Sequence, residues 1–300
     1  MSFTAIELER AGPVATIKIK PFEATQSEGE KHPDYVDVHA AIAFALEELR
    51  WDDSIRVIVL TGSQDGEFYW APGSGYYDEA RLDRMNKLKG RSAPFSRERG
   101  PHRVIETLAL IEKPVIARVN GHASSHGQSI LLGCDLIVAW EDAIVTENHL
   151  GMEEVKDERG VAHGYPFGMT PGDGAGALLP LFLPPTKAKE YLMLSPAYTA
   201  KELAAMNVVN YAVPMERLDA VLDDVIRRLL KRPARALART KRMANKLLIQ
   251  QWNLTFDLSF ESELLDFWEL GRNNWVNELS LEGPQDPQAP PSGPGEERSP

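Results

Sequence analysis

Residues 113–149 read KPVIARVNGHASSHGQSILLGCDLIVAWEDAIVTENH, and most of the architecture follows from them. Pro114–Val119 has the length and β-branched content of a buried strand, Asn120-Gly121 with the small residues after it marks a turn, and Ser129–Leu132 starts an apolar helix. Two further short strands are expected at Leu136–Ala139 and Ala143–Thr146. The first N–H groups of a helix have no intrahelical partner, so such a strand-turn-helix presents donors suited to an anionic oxygen. His126 stands at that turn, His149 follows the last of these strands, and Asp173 lies beyond them in a Gly-rich PGDGAGA segment. Three residues able to pass protons therefore fall in loops near one oxyanion-binding turn.

On the N-terminal side, Phe3–Leu8 and Val14–Ile19 read as a β-hairpin about Ala11-Gly12, and Val36–Arg50 has helical spacing. Arg56–Leu60 (RVIVL) reads as a buried strand, and Val208–Val213 as another. Strands separated by helical segments favour an α/β core. Helix is expected at Pro101–Leu110 and again at Met215–Leu230, Ala234–Gln250 and Trp252–Leu270. Residues 76–100 are rich in charge without apolar periodicity, which suggests a mobile or a site-flanking segment. The C-terminal stretch GPQDPQAPPSGPGEERSP is rich in proline and reads as disordered. These patterns divide the chain into a core at 1–214, a helical region at 215–282 and a tail at 283–300.

Three hundred residues with 43% hydrophobic content suffice for one sizeable core. A net charge of −11 argues against general affinity for nucleic acid or anionic membrane, since both demand clustered positive charge. The single cysteine, Cys134, excludes an intramolecular disulfide and a cysteine-based zinc site. No signal-peptide core or membrane-spanning run is evident, so a cytoplasmic location is expected.

The segments RVIVLTG, KPVIARVNGHA, GCDLIVAWEDA, PGDGAGA and TAKELAAMNVVNYAVP resemble, in order and spacing, the crotonase or enoyl-CoA hydratase/isomerase superfamily over roughly residues 3–270. The resemblance implies a spiral of ββα units with C-terminal helices that pack on a neighbouring subunit, hence a homotrimer or homohexamer. It also implies an oxyanion held by two backbone N–H groups. One is carried over to His126 and the other to Trp70 in FYWAPGSG, with Ala71 or Gly73 as alternatives because Pro72 has no N–H. Where the hydratases carry a pair of glutamates, this chain has Ser129 and His149.

The set His126, His149 and Asp173 is similar to that of the superfamily's β-diketone hydrolases of the 6-oxocamphor type. That similarity implies hydrolysis of a C–C bond in a cyclic or bulky 1,3-dicarbonyl. Asp173 would orient His149, His149 would take a proton from the attacking water, and His126 would steady the enolate. It further implies Glu261 as an acidic contributor. Glu147, two residues before His149, is a competing acid if the local register differs by one or two. No metal or redox cofactor is expected. The alternatives are an enoyl-CoA hydratase or isomerase, whose substrate brings its own coenzyme A moiety, and a scaffold that kept the fold without activity. Nine Lys/Arg between Arg227 and Lys246 bear weakly on coenzyme A binding and otherwise form a solvated face.

Overall fold

The computed structural model describes residues 5–21, 38–70, 100–150, 155–156, 162–163 and 169–273. In chain order the elements are β1 (Ile6–Ala11), β2 (Val14–Ile19), α1 (Val38–Arg50), β3 (Val57–Gly62), β4 (Gly66–Tyr69), α2 (Pro101–Leu110), β5 (Val115–Val119), β6 (Gly121–Ser124) and α3 (His126–Gly133). They continue with β7 (Leu136–Trp140), β8 (Ile144–Thr146), the two-residue β9 (Val155–Lys156) and β10 (Ala162–His163), α4 (Ala175–Phe182), α5 (Pro185–Leu194) and β11 (Ala197–Thr199). Last come α6 (Ala200–Ala205), β12 (Tyr211–Val213), α7 (Met215–Leu230), α8 (Ala234–Ala244) and α9 (Lys246–Asn273).

Two sheets organise the core. The larger runs β1-β2-β3-β5-β7-β12, parallel except for the β1–β2 hairpin. The smaller runs β11-β8-β6-β4, with β4, β6 and β8 parallel. β3 is buried along its whole length because both faces are covered, which is why RVIVL reads as an unbroken apolar run. Successive side chains point to opposite faces. Val57 and Val59 pack with Ile116, Val138 and α7 residues Leu218, Leu222 and Val225, whereas Ile58 and Leu60 join the main core with Leu46 of α1.

The Asn120-Gly121 corner passes the chain from one sheet to the other. Asn120 Oδ1 accepts from the Gly62 N–H at 2.9 Å and from Thr61 Oγ1 at 3.1 Å, while its Nδ2 donates to the Gln64 carbonyl at 2.8 Å. A Cβ on Gly121 would lie 2.0 Å from the Glu67 nitrogen. Only glycine therefore lets β4 and β6 meet there. This local folding carries Tyr69–Trp70 and His126–Gly127 out of adjacent parallel strands side by side.

The structure departs from the sequence reading in several places. The helix after the turn begins at His126 rather than Ser129, because Ser129 N already donates to the Ser125 carbonyl at 3.1 Å. The last sheet strand is Tyr211–Val213; Val208 N to the Leu203 carbonyl closes a turn at 206–207, and 208–210 run irregularly into the strand. The C-terminal helices break at Asn245, whose side chain caps the Ala109 carbonyl at 3.0 Å. The 76–99 stretch and the 283–300 tail lie outside the described residues. No helix among the described residues is long and apolar enough to cross a membrane.

Candidate active site

β6 and β8 are parallel neighbours, paired at Ser124–Thr146, and the chain leaves both at the same end of the small sheet. Beyond β6 come Ser125 and His126; beyond β8 come Glu147, Asn148 and His149. Ligand sites in α/β proteins favour such carboxyl ends of parallel strands. The turn before α4 then supplies Asp173, and α9 lies over it. Gly172 permits this last approach, since a Cβ there would sit 2.5 Å from Glu263 Cβ and 2.9 Å from the Ser259 carbonyl oxygen. Thr170 N donates to Asp266 Oδ2 at 2.6 Å and holds the same turn to α9.

Three carboxyl groups surround one imidazole. His149 Nδ1 is hydrogen-bonded to Glu147 Oε1, while His149 Nε2 stands 3.5 Å from Glu263 Oε1 and 3.8 Å from Asp173 Oδ2. Ser129 Oγ donates to Asp173 Oδ1 at 3.0 Å, and His126 Nδ1 lies 4.0 Å from Asp173 Oδ2. His126, Glu147, His149, Asp173 and Glu263 are all at most 4% exposed. Charge buried in such surroundings is costly unless paired or neutralised by a proton. Burial accordingly pushes the Asp173 carboxyl up to about 7, overcoming the pull of His149 and reinforced by the charges of Glu147 and Glu263. Burial acts the other way on His149, but the Glu147 and then the Asp173 carboxylates outweigh it and hold the imidazole well above its ordinary range. His126, with burial and then His39 opposing its charge, is held well below that range and stays neutral.

The residues expected from sequence are placed as follows. His126, His149 and Asp173 come together in the buried cluster. Asp173 does not hydrogen-bond His149; the bonded carboxylate is Glu147, two residues away on the same loop, while Asp173 faces the opposite ring nitrogen. Glu261 faces solvent on α9, and the inward carboxylate is Glu263. The two-residue error has a helical cause: positions two apart point about 200° from each other, and only an anchor such as Gly172 fixes which of them turns inward. Trp70 is buried beside the His126 turn, its ring 5.6 Å from that of His122. A Cβ on Gly127 would lie 2.3 Å from the Tyr69 carbonyl oxygen, so the two loops assigned oxyanion donors are in contact. Ala71 and Gly73 lie outside the described residues.

Several buried polar atoms in and near the cluster make no hydrogen bond among the described residues. They include both ring nitrogens of His126, Glu147 Oε2, Glu263 Oε2, Asn148 Nδ2 and both amide atoms of Gln128. Unsatisfied buried groups are uncommon, and several of these belong to the residues that surround His149. Glu147, His149 and Asp173 also offer ligand atoms within 4.8 Å of one another. That spacing admits a cation in competition with the cluster's protons.

The comparisons with known proteins agree with one another. A family profile described as enoyl-CoA hydratase/isomerase matches residues 37–265. A short-chain-enoyl-CoA hydratase of Clostridium acetobutylicum is 26% identical over 266 residues, 88% of this chain and 88% of its own. An enoyl-CoA hydratase/isomerase from Mycobacterium paratuberculosis superposes with a TM-score of 0.72 at 20% identity, covering 93% of this chain and 98% of its own. A beta-diketone hydrolase from the cyanobacterium Anabaena, bound to (S)-3-oxocyclohexyl acetic acid, does so with a TM-score of 0.68 at 21% identity, covering 90% and 96%. The fold is the crotonase fold, and the match over most of the chain shows that the protein belongs to the enoyl-CoA hydratase/isomerase family.

Proposed function

We propose that this chain adds water to, or shifts the double bond of, a carbonyl-conjugated acyl thioester such as an enoyl-CoA. The observation that supports this reading is the Asp173 carboxyl resting on Ser129 Oγ at 3.0 Å, with Glu263 across His149 from Glu147. In sequence, Ser129 and His149 stand where hydratases carry glutamates. In space, carboxyl groups from other elements adjoin both positions. Asp173, poised near neutrality, beside Glu263 gives the pair needed for water activation: one carboxylate to take a proton from water and one carboxyl to return a proton to the α-carbon. As water oxygen attacks the β-carbon, charge develops on the thioester oxygen, where the His126 and Trp70 N–H groups would hold it. His149, written from sequence as the base, serves on this reading as a cation that Glu147 orients and that steadies the ionised carboxylate. The names of the curated relatives favour the same substrate class.

A second reading, hydrolysis of a 1,3-dicarbonyl C–C bond, is favoured by the neutral imidazole of His126 facing Asp173. The two are separated by assaying the intact protein on crotonyl-CoA and on a panel of cyclic β-diketones. Hydration of crotonyl-CoA that falls about 100-fold or more in Glu263→Gln is the expected result, the usual scale for losing an acid/base group. Cleavage of β-diketones with no turnover of enoyl thioesters would replace the proposal by the second reading, and inactivity on both would leave the chain a scaffold.

A further inference from the structure

Ser125 is a non-glycine residue at φ 47° and ψ −117°. An L side chain rarely occupies that region. Strain of this kind persists only where surrounding contacts over-determine it, and it concentrates at functional sites. The contacts are present. Ser125 N donates to the Thr146 carbonyl at 3.0 Å, the Ser125 carbonyl accepts from Ser129 N at 3.1 Å, and Ser125 Oγ donates to Asn148 Oδ1. Ser125 is 1% exposed and Asn148 4%. Ser125 immediately precedes His126, and Asn148 sits between Glu147 and His149. The only covalent path between the two residues is the whole of α3, β7 and β8, so this hydroxyl-amide bond is a direct tie between the oxyanion turn and the imidazole-carboxylate cluster.

We propose that Ser125 and Asn148 form a positioning clamp that fixes the His126 turn against the Glu147–His149 loop. This rests on the acid/base and oxyanion roles proposed above. The hydroxyl holds the first residue of α3 at one end while the amide backbone carries His149 at the other. Losing the bond leaves the Ser125 N–H to Thr146 carbonyl bond and the β6–β8 pairing in place, but frees the turn and the loop beyond them to shift by small amounts without removing any group that meets substrate. Catalysis is steep in such distances: a displacement of about 1 Å can cost about 100-fold in rate.

The test uses Ser125→Ala, Asn148→Ala, the double variant and Ser125→Gly in the full chain. Ser125→Ala removes the hydroxyl and keeps the backbone strain; Ser125→Gly removes both and so protects against misfolding. Each single variant is expected to lower kcat about ten- to 100-fold with KM within about twofold, and the double variant is expected to be no worse than the weaker single, because both break one bond. Side-chain nitrogen NMR of histidine-labelled protein supplies a readout independent of turnover: the His149 ring signals should shift or broaden in all four variants. Additive losses in the double variant, unchanged His149 signals in the single variants, or full activity in Ser125→Gly would overturn the clamp. A wild type inactive on every substrate, with shifted His149 signals in the variants, would overturn the functional reading and leave the clamp standing.

Discussion

Asp173 retains its proton to unusually high pH because it is buried and shares its pocket with two other carboxyl groups, which together outweigh the pull of the His149 imidazole. The folded carboxyl lies near 7 against an ordinary 3.8, so the folded state binds a proton that the unfolded state has already released. Its contribution to stability is therefore complete below about pH 4 and lost as pH rises through about 7, and His149, raised above its ordinary value, acts in the same sense above its own. Asp173→Asn cannot titrate. Thermal melts should show the stability of the wild type relative to Asp173→Asn declining between about pH 4 and pH 7, and a constant difference would refute the assignment. In kinetics, turnover of wild type should rise with pH through about 7 as the carboxyl ionises; Asp173→Asn should lose that rise along with about 100-fold in kcat. His126, His149 and Asp173 were legible as residues because short motifs carry them. Their pairing was not, because a hydrogen bond to Glu147 rather than Asp173 depends on how one loop closes on itself.

The elements that complete the site are α4 and α9, which meet through a turn of glycines. Gly172 allows the backbone of that turn to touch Glu263, and Gly174 adopts φ 127°. That conformation is open to glycine. Gly172→Ala would place a methyl group 2.2 Å from Glu263 Oε2. Such a clash forces α9 outward, a strain of about 1–3 kcal/mol. Expected are a lower melting temperature and a fall in turnover. Gly176→Ala is the matched control, because the nearest neighbour of its Cβ would be the Pro171 carbonyl oxygen at 3.7 Å. Its stability should equal or exceed wild type, since alanine is the better helix former. A Gly172→Ala protein as stable and active as the control would show that the close approach is dispensable. The amphipathic pattern of 252–270 announced a helix well, but the choice between Glu261 and Glu263 is a matter of helix rotation. Trp252, Phe256 and Phe260 set that rotation by stacking beneath the turn, with His102 against the two phenylalanines.

At the scale of the molecule, α8 is tied to the loop that leads into β7 by a largely buried ion pair. Lys241 Nζ lies 2.7 Å from Asp135 Oδ2 and donates to the Lys113 carbonyl at 3.0 Å, while Asp135 Oδ2 also accepts from Val115 N at 2.7 Å. The lysine side chain is 6% exposed and the aspartate 19%. Beside this pair is a cavity of about 450 Å³ lined by Leu132, Cys134, Phe182, Leu237 and Leu248, which shares no residue with the acid/base cluster. Removing one partner strands the other, so Lys241→Ala should destabilise the protein by about 3 kcal/mol, at the lower end for buried pairs because Asp135 keeps the Val115 N–H and some solvent. Denaturant melts measure this directly, and a change below about 0.5 kcal/mol, the scale of an ordinary surface substitution, would contradict it.

The strands of the large sheet, the Asn120-Gly121 corner, the helix behind His126 and the family could be read from the order of residues, because they follow from local apolar pattern, turn chemistry and motif order; β4, β6 and β11 of the small sheet could not, being short and, at 121–124, small-residue sequence that reads as a turn. The surroundings of His149 could not, and only the folded chain shows them. Which carboxyl groups share a pocket depends on residues from three separate elements, Glu147, Asp173 and Glu263, and no local pattern records that they meet. Ser129 itself carries no carboxyl group, yet the fold sets that of Asp173 within 3.0 Å of its hydroxyl, because spatial neighbours are chosen by packing and not by place in the sequence.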